Sequence, residues 1–213
     1  MSSASSTSTS TDTRERLLEA AGAEFAAHGF ARATVRAICS AAGANVAAVS
    51  YHFGDKAGLY RAVLGEAFRR KEQAAPLSLD PAAPLGERVR RFAEAFLRRL
   101  LSEGPGWHAR IMAWEMVEPS QALPEVVETH FRPVRDLIES FAREARPDLD
   151  ARARRMHVHS LLGQITFYRH AAPALAHLEP PLTAAALPRL AAHVTAVFLR
   201  GLERADLLPP ELP

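Results

Sequence analysis

Between Thr34 and Lys56 the chain reads TVRAICSAAGANVAAVSYHFGDK, and the side chains there that could do chemistry are hydroxyls, one imidazole and isolated cations. Ser50, Tyr51 and His52 each exchange single hydrogen bonds, while Ala47 and Ala48 allow close approach and suit the methyl group of thymine. Thr34, Arg36 and Lys56 suit phosphate, and Thr34 and Lys56 fall where helix N-termini present backbone N–H groups. The elements that must position them follow from the spacing. Thr34 caps one helix, with Val35, Ile38 and Ala42 on one face, and Gly43 ends it. Asn45 caps a second helix, in which Val46, Val49 and Phe53 face inward and Ala47, Ala48, Ser50, Tyr51 and His52 mostly face out. An outward face that is small, uncharged and hydrogen-bonding fits a major groove, so the stretch predicts a helix-turn-helix, with Asn45 counted among its contacts. Phosphate contacts position such a motif, and base choice falls to Ala47, Ala48, Ser50 and Tyr51. For Tyr51 and His52, packing on the neighbouring helix is the competing role.

The run AGANVAAVSYHFGDKAGLY, preceded by Thr34 and an amphipathic first helix, resembles the DNA-binding domain of the TetR family of transcriptional regulators. The resemblance covers roughly Thr13 to Phe68 and includes the turn glycine, the aromatic pair ending in Phe53, the Gly54-Asp55 step and Lys56. Many members carry Tyr where this chain has Ser50, which implies that phosphate contacts rest on Tyr51 and His52 instead. Further on, RIMAWEMVEPSQALPEVV, RPVRDLI and HVHSLLGQITFYRH are similar to the C-terminal domain of the CecR-like branch of the family. That resemblance implies a repressor whose C-terminal domain dimerises and binds an effector, often in the setting of drug efflux or envelope stress.

Composition agrees with an all-α fold: Ala, Leu, Arg and Glu dominate the 213 residues, β-branched runs are scarce and aromatics make up 7%. The formal net charge of +2 is too small to imply nucleic acid by itself. A dimeric reader needs only a local patch, which Arg14, Arg16, Arg32, Arg36 and Lys56 can supply. Cys39, the single cysteine, cannot close an internal disulfide and reads as a small core residue. No apolar run approaches the ~20 residues of a membrane span and no apolar signal segment opens the chain, so a cytoplasmic protein without membrane partners is expected.

Residues 1–11 are mostly Ser, Thr and Ala and read as a disordered arm. Residues 12–56 form the DNA-binding domain, with a first helix stopped by Gly29, and 57–75 a linking helix whose apolar stripe outruns the small domain's needs. Residues 76–206 form an effector-binding and dimerisation domain of five helices, interrupted at Gly104-Pro105-Gly106 and kinked near Pro133, and 207–213 are a tail.

In that second domain Arg110, Met112, Trp114, Glu115, Met116, Phe131, Gln164, Phe167 and Tyr168 mix aromatics and Met with a few polar groups, the composition of a small-molecule pocket. Ordinary core packing with one salt bridge is the competing reading. Glu115 and Gln164 are sharper, because each lies among apolar neighbours and needs a partner, either a ligand or each other. The resemblance implies a two-fold seam on the last two long helices, with Leu161, Leu162, Ile165, Leu190, Val194, Val197 and Phe198 as contacts. Two recognition helices then lie roughly 34–36 Å apart and require a palindromic operator. His157 and His159 point about 200° apart on one helix and cannot jointly chelate, so no metal is expected, and no other cofactor. No nucleophile, phosphate loop or carboxylate pair at usable spacing supports an enzyme. The expectation is a homodimeric, ligand-responsive regulator of transcription, with two alternatives: a DNA-binding dimer lacking any effector and, in last place, a helical enzyme with Glu115 and a histidine as acid and base.

Overall fold

The computed structural model describes the backbone of residues 4–101, 107–180 and 182–205, with side chains from Thr11 onward except at 109. Every regular element among the described residues is helical: α1 Ala4–Arg32, α2 Val35–Ala42, α3 Val46–Phe53, α4 Lys56–Ala74, α5 Leu85–Leu101, α6 Trp107–Val117, α7 Leu123–Val126, α8 Arg132–Ala145, α9 Ala151–His170, α10 Ala172–Leu175 and α11 Leu187–Glu203. A π-helical turn, Val127–Phe131, joins α7 to α8, and a 3-10 turn, Ala184–Ala186, leads into α11. The breaker at 104–106, the first three residues of the arm and the tail at 207–213 lie outside the described residues. From residue 4 on, the arm expected to be disordered continues the backbone of α1. Once the buried Leu17 and Leu18 anchor this helix, each added residue needs only propagation, not a new nucleus.

The chain divides into two compact units, Met1–Arg70 with Glu103–His130, and Lys71–Ser102 with Phe131–Pro213. This differs from the division expected near residue 76, because residues 103–130 cluster with the N-terminal helices. Trp107, Ile111, Ala122 and Val126 are buried in one cluster with Phe25, Leu59, Tyr60 and Leu64. They cover the stretch of α4 whose apolar stripe exceeds what α1 to α3 can bury.

Two tryptophans dock α6 on α1. The Trp107 ring lies against Gly22, where an added methyl group would sit 2.5 Å from it, and a methyl group added at Gly29 would sit 3.3 Å from the Trp114 ring. Their indole N–H groups donate to Glu19 Oε2 (3.1 Å) and to the Ala26 carbonyl (3.0 Å). Both pairs are seven residues apart and climb in the same sense, so α6 runs parallel to α1. Gly29 also has φ 70° and interrupts the regular helix at the expected stop.

The second unit packs α5, α8, α9 and α11 around Val89, Phe92, Leu97, Ile138, Phe141, Val158, Leu161, Ile165, Val194, Phe198 and Leu202. The π-helical turn stands where Pro133 was expected to kink the chain. Proline lacks an N–H and its ring crowds the carbonyl four residues back, so a wider turn relieves both. Along α5, Glu87 pairs with Arg90 and Arg91, and Glu94 with Arg90 and Arg98.

Candidate nucleic-acid interface and second-domain groove

Local caps set the pose of the reading helix. Thr34 Oγ1 accepts from the Ala37 N–H (3.2 Å) to start α2, and Gly43, left-handed at φ 60°, closes α2 by donating to the Ser40 carbonyl (3.3 Å). Asn45 Oδ1 accepts from the Ala48 N–H (2.9 Å) and starts α3. The Cys39 thiol donates to the Asn45 carbonyl (3.5 Å) and is buried, which raises its pKa, in keeping with a core role. On α3, Tyr51 is 80% exposed and its ring meets that of His52 edge to face at 4.8 Å. Ala47 and Ser50 are exposed, while Ala48 and Phe53 pack against the core and His52 is half-buried.

Two orientations differ from the sequence reading. Val46, expected to face inward, is 55% exposed, whereas Ala48, expected to face out, is partly covered. Spacing from Val46 to Val49 and Phe53 suits an inward stripe, but Val46 is the first residue of α3 and stays open to solvent, while Ala48, Val49 and Phe53 carry the contact with the core.

The cations separate into engaged and available groups. Lys56 donates to the Ala31 carbonyl (3.2 Å) and its ammonium lies 4.8 Å from the centre of the Phe30 ring, so it braces the start of α4 against the end of α1. Arg16 donates to the Ala42 carbonyl (3.2 Å) and pairs with Asp12, and the Arg32 guanidinium lies over the Trp114 ring (5.3 Å). Arg36 is exposed with no acidic partner among the described residues. Arg14 stacks over the Phe53 ring at 5.4 Å, which holds a guanidinium beside the end of α3. The sequence reading placed Arg14 only in a general patch; no local pattern signals a contact between residues so far apart in the chain.

Set beside known proteins, residues 17–63 match the model of the bacterial regulatory proteins, tetR family, and residues 85–202 match that of the C-terminal domain of the HTH-type transcriptional dual regulator CecR. The CecR regulator of Shigella flexneri is 30% identical over 169 residues, which span 73% of this chain and 75% of that protein. This chain belongs to the TetR family. The transcriptional repressor AcnR of Corynebacterium glutamicum is 43% identical over 56 residues, 26% of this chain and 30% of that one. A transcriptional regulator from Rhodococcus shares the fold with a TM-score of 0.63 at 20% identity, over 92% of this chain and 99% of that one. The TetR-family chain is therefore a DNA-binding regulator of transcription and not an enzyme. No described helix is long and apolar enough to cross a membrane.

The residues assigned to an effector pocket in this TetR-family regulator fall in both units. In the first unit Glu115 is 1% exposed and its Oε1 accepts from the Tyr60 hydroxyl at 2.7 Å, with the Ser120 N–H 3.4 Å from Oε2. Burial, with the hydrogen bond and charge of Glu115 added, pushes the Tyr60 phenol far above its ordinary range. Trp114 is occupied with α1 as described, Met112 packs on the first unit's core, and Arg110 and Met116 are exposed. In the second unit Gln164, Phe167 and Tyr168 do come together, with Gly163 of α9 and His193 and Val194 of α11, around a groove of about 360 Å³. Phe131 ends the π-helical turn and is 36% exposed.

Four of the residues assigned to the dimer seam are core residues of the TetR-family chain itself. Leu161, Ile165, Val194 and Phe198 are 0 to 3% exposed, and Leu162 and Leu190 are partly covered. Seam and core share the same helical spacing, which cannot separate them. Val197 (41%) and Phe167 (53%) are the large apolar side chains that α9 and α11 leave exposed.

Proposed function

We propose that this regulator binds a palindromic operator as a homodimer, acts as a repressor and is released by a small-molecule effector. The observation that carries the reading is α3 itself, a helix with caps at both ends whose exposed side carries Ala47, Ser50 and Tyr51 and no charge. Such a surface enters a major groove without a desolvated charge, while Arg36 and Arg14 flank it for phosphates. The exposed Phe167 and Val197 support a seam along α9 and α11, and the groove lined by Gln164, Phe167 and Tyr168 supports a ligand site beside it. An effector then needs about 1–3 kcal/mol of coupling to the operator-competent state.

Selection of bound sequences from a random DNA pool at two salt concentrations tests this. A two-fold motif whose affinity falls steeply with salt is expected; the absence of any enriched sequence would sink the operator reading. A reporter driven by the selected site is expected to be silenced by the regulator, and activation would replace repression by the dual behaviour in the CecR relative's name. The closure of Glu115 on Tyr60 favours a second reading, in which the C-terminal domain only dimerises. Native mass spectrometry of the purified protein separates the two, since a retained small molecule excludes the second.

A further inference from the structure

The exposed end of α3 carries a side chain that the groove-facing set above does not use. Val46 is the first residue of the helix, and 55% of it is open to solvent. Val46 and Ser50 stand four apart, as do Ala47 and Tyr51, so the four share adjoining rows of one helix side. In a helix-turn-helix the N-terminal residues of the second helix are those that meet base edges.

The chemistry of this end is narrow. Bidentate reading of guanine needs an arginine or lysine, and bidentate reading of adenine needs an asparagine or glutamine. No residue from Val46 to Phe53 is of those types. The one amide at this end, Asn45, has its oxygen committed to the Ala48 N–H. What remains foremost is an isopropyl group beside the methyl of Ala47. In the major groove the apolar feature that a base pair presents is the thymine 5-methyl group.

We infer that Val46 is a specificity-determining residue that reads a thymine methyl group in each half-site. The inference rests on the operator-binding reading of α3 and adds the base chemistry that this chain's recognition helix selects. Guanine and adenine edges are left without a bidentate partner on α3, so the base expected opposite Val46 is thymine.

The test uses the full-length protein and the half-site obtained by selection. Each thymine of the duplex is replaced in turn by deoxyuridine, which removes the 5-methyl group and keeps the pairing. Loss of one such contact is expected to weaken binding roughly fourfold per half-site at one position, the size of one buried methyl. Val46→Ala, checked for unchanged helix content, is expected to bind the thymine and uracil duplexes equally at that position and to keep the wild-type salt slope. Val46→Thr, which retains one methyl of the isopropyl group, is expected to fall between. Equal affinity for thymine and uracil at every position, or a distinction that survives in Val46→Ala, overturns the inference while leaving operator binding intact. Failure of the underlying reading is visible separately, as binding with no sequence preference.

Discussion

At the scale of single residues, the first unit depends on polar groups with little access to water. The Tyr60–Glu115 bond is buried, and the Tyr60 phenol is held far above its ordinary pKa by burial and by Glu115 itself, so it keeps its proton and donates across the whole physiological range. Tyr60→Phe removes that donor from a carboxylate that is 1% exposed, and a loss of about 1–3 kcal/mol is expected from urea unfolding. Adding Glu115→Met to Tyr60→Phe should return part of it, since an apolar pair leaves no carboxylate to satisfy. Glu66 is a second case. A hydrogen bond from Arg69, opposed by burial and reinforced by Arg70, lowers its carboxyl from 4.5 to about 2. A folded pKa below the unfolded one means that this contribution is complete above about pH 4.5 and is lost as the pH falls toward 2. Unfolding measured along that interval should lose less stability in Glu66→Gln than in the wild type.

At the scale of elements, α6 and α1 are joined by shape. Alanine normally improves on glycine in the middle of a helix by about 0.5–1 kcal/mol. Gly22→Ala should have the opposite sign, a loss of about 1–3 kcal/mol in the thermal or urea transition, because its methyl group would meet the Trp107 ring at 2.5 Å. A stabilised Gly22→Ala chain would show that the ring yields. This contact also marks where reading the sequence stops. Thr34, Gly43 and Asn45 act on groups within five residues, so α2 and α3 could be drawn from their caps alone. Gly22 and Trp107 are 85 positions apart, and no local rule joins a glycine in one helix to an indole in another. The same limit hid the Glu115 partner and the membership of residues 103–130. The exposure of Val46 has a different cause: period places a residue on a side of a helix but does not say how far along that side the core extends.

At the scale of the whole molecule, the seam is the proposed feature with the largest effect on binding. Val197 and Phe167 leave apolar surface open on α9 and α11, whereas Val194 and Phe198 are already covered within the chain. Val197→Asp is expected to leave the monomer folded and to shift sedimentation toward it, with operator affinity falling together with dimer content. Val194→Asp should instead unfold the second unit, because it places a charge in that unit's interior. The division between these outcomes tests the reassignment of the seam. The placement of the two indoles has a consequence of its own. Trp107 and Trp114 are the chain's two tryptophans, and both lie on α6 with their N–H groups bonded to α1. Light that excites indole but not phenol therefore reads the surface between α6 and α1, with no label attached. A compound that shifts this emission without absorbing or quenching it has changed the surroundings of α6, and titrating candidate molecules against that single signal gives an optical screen for the effector before any operator is known.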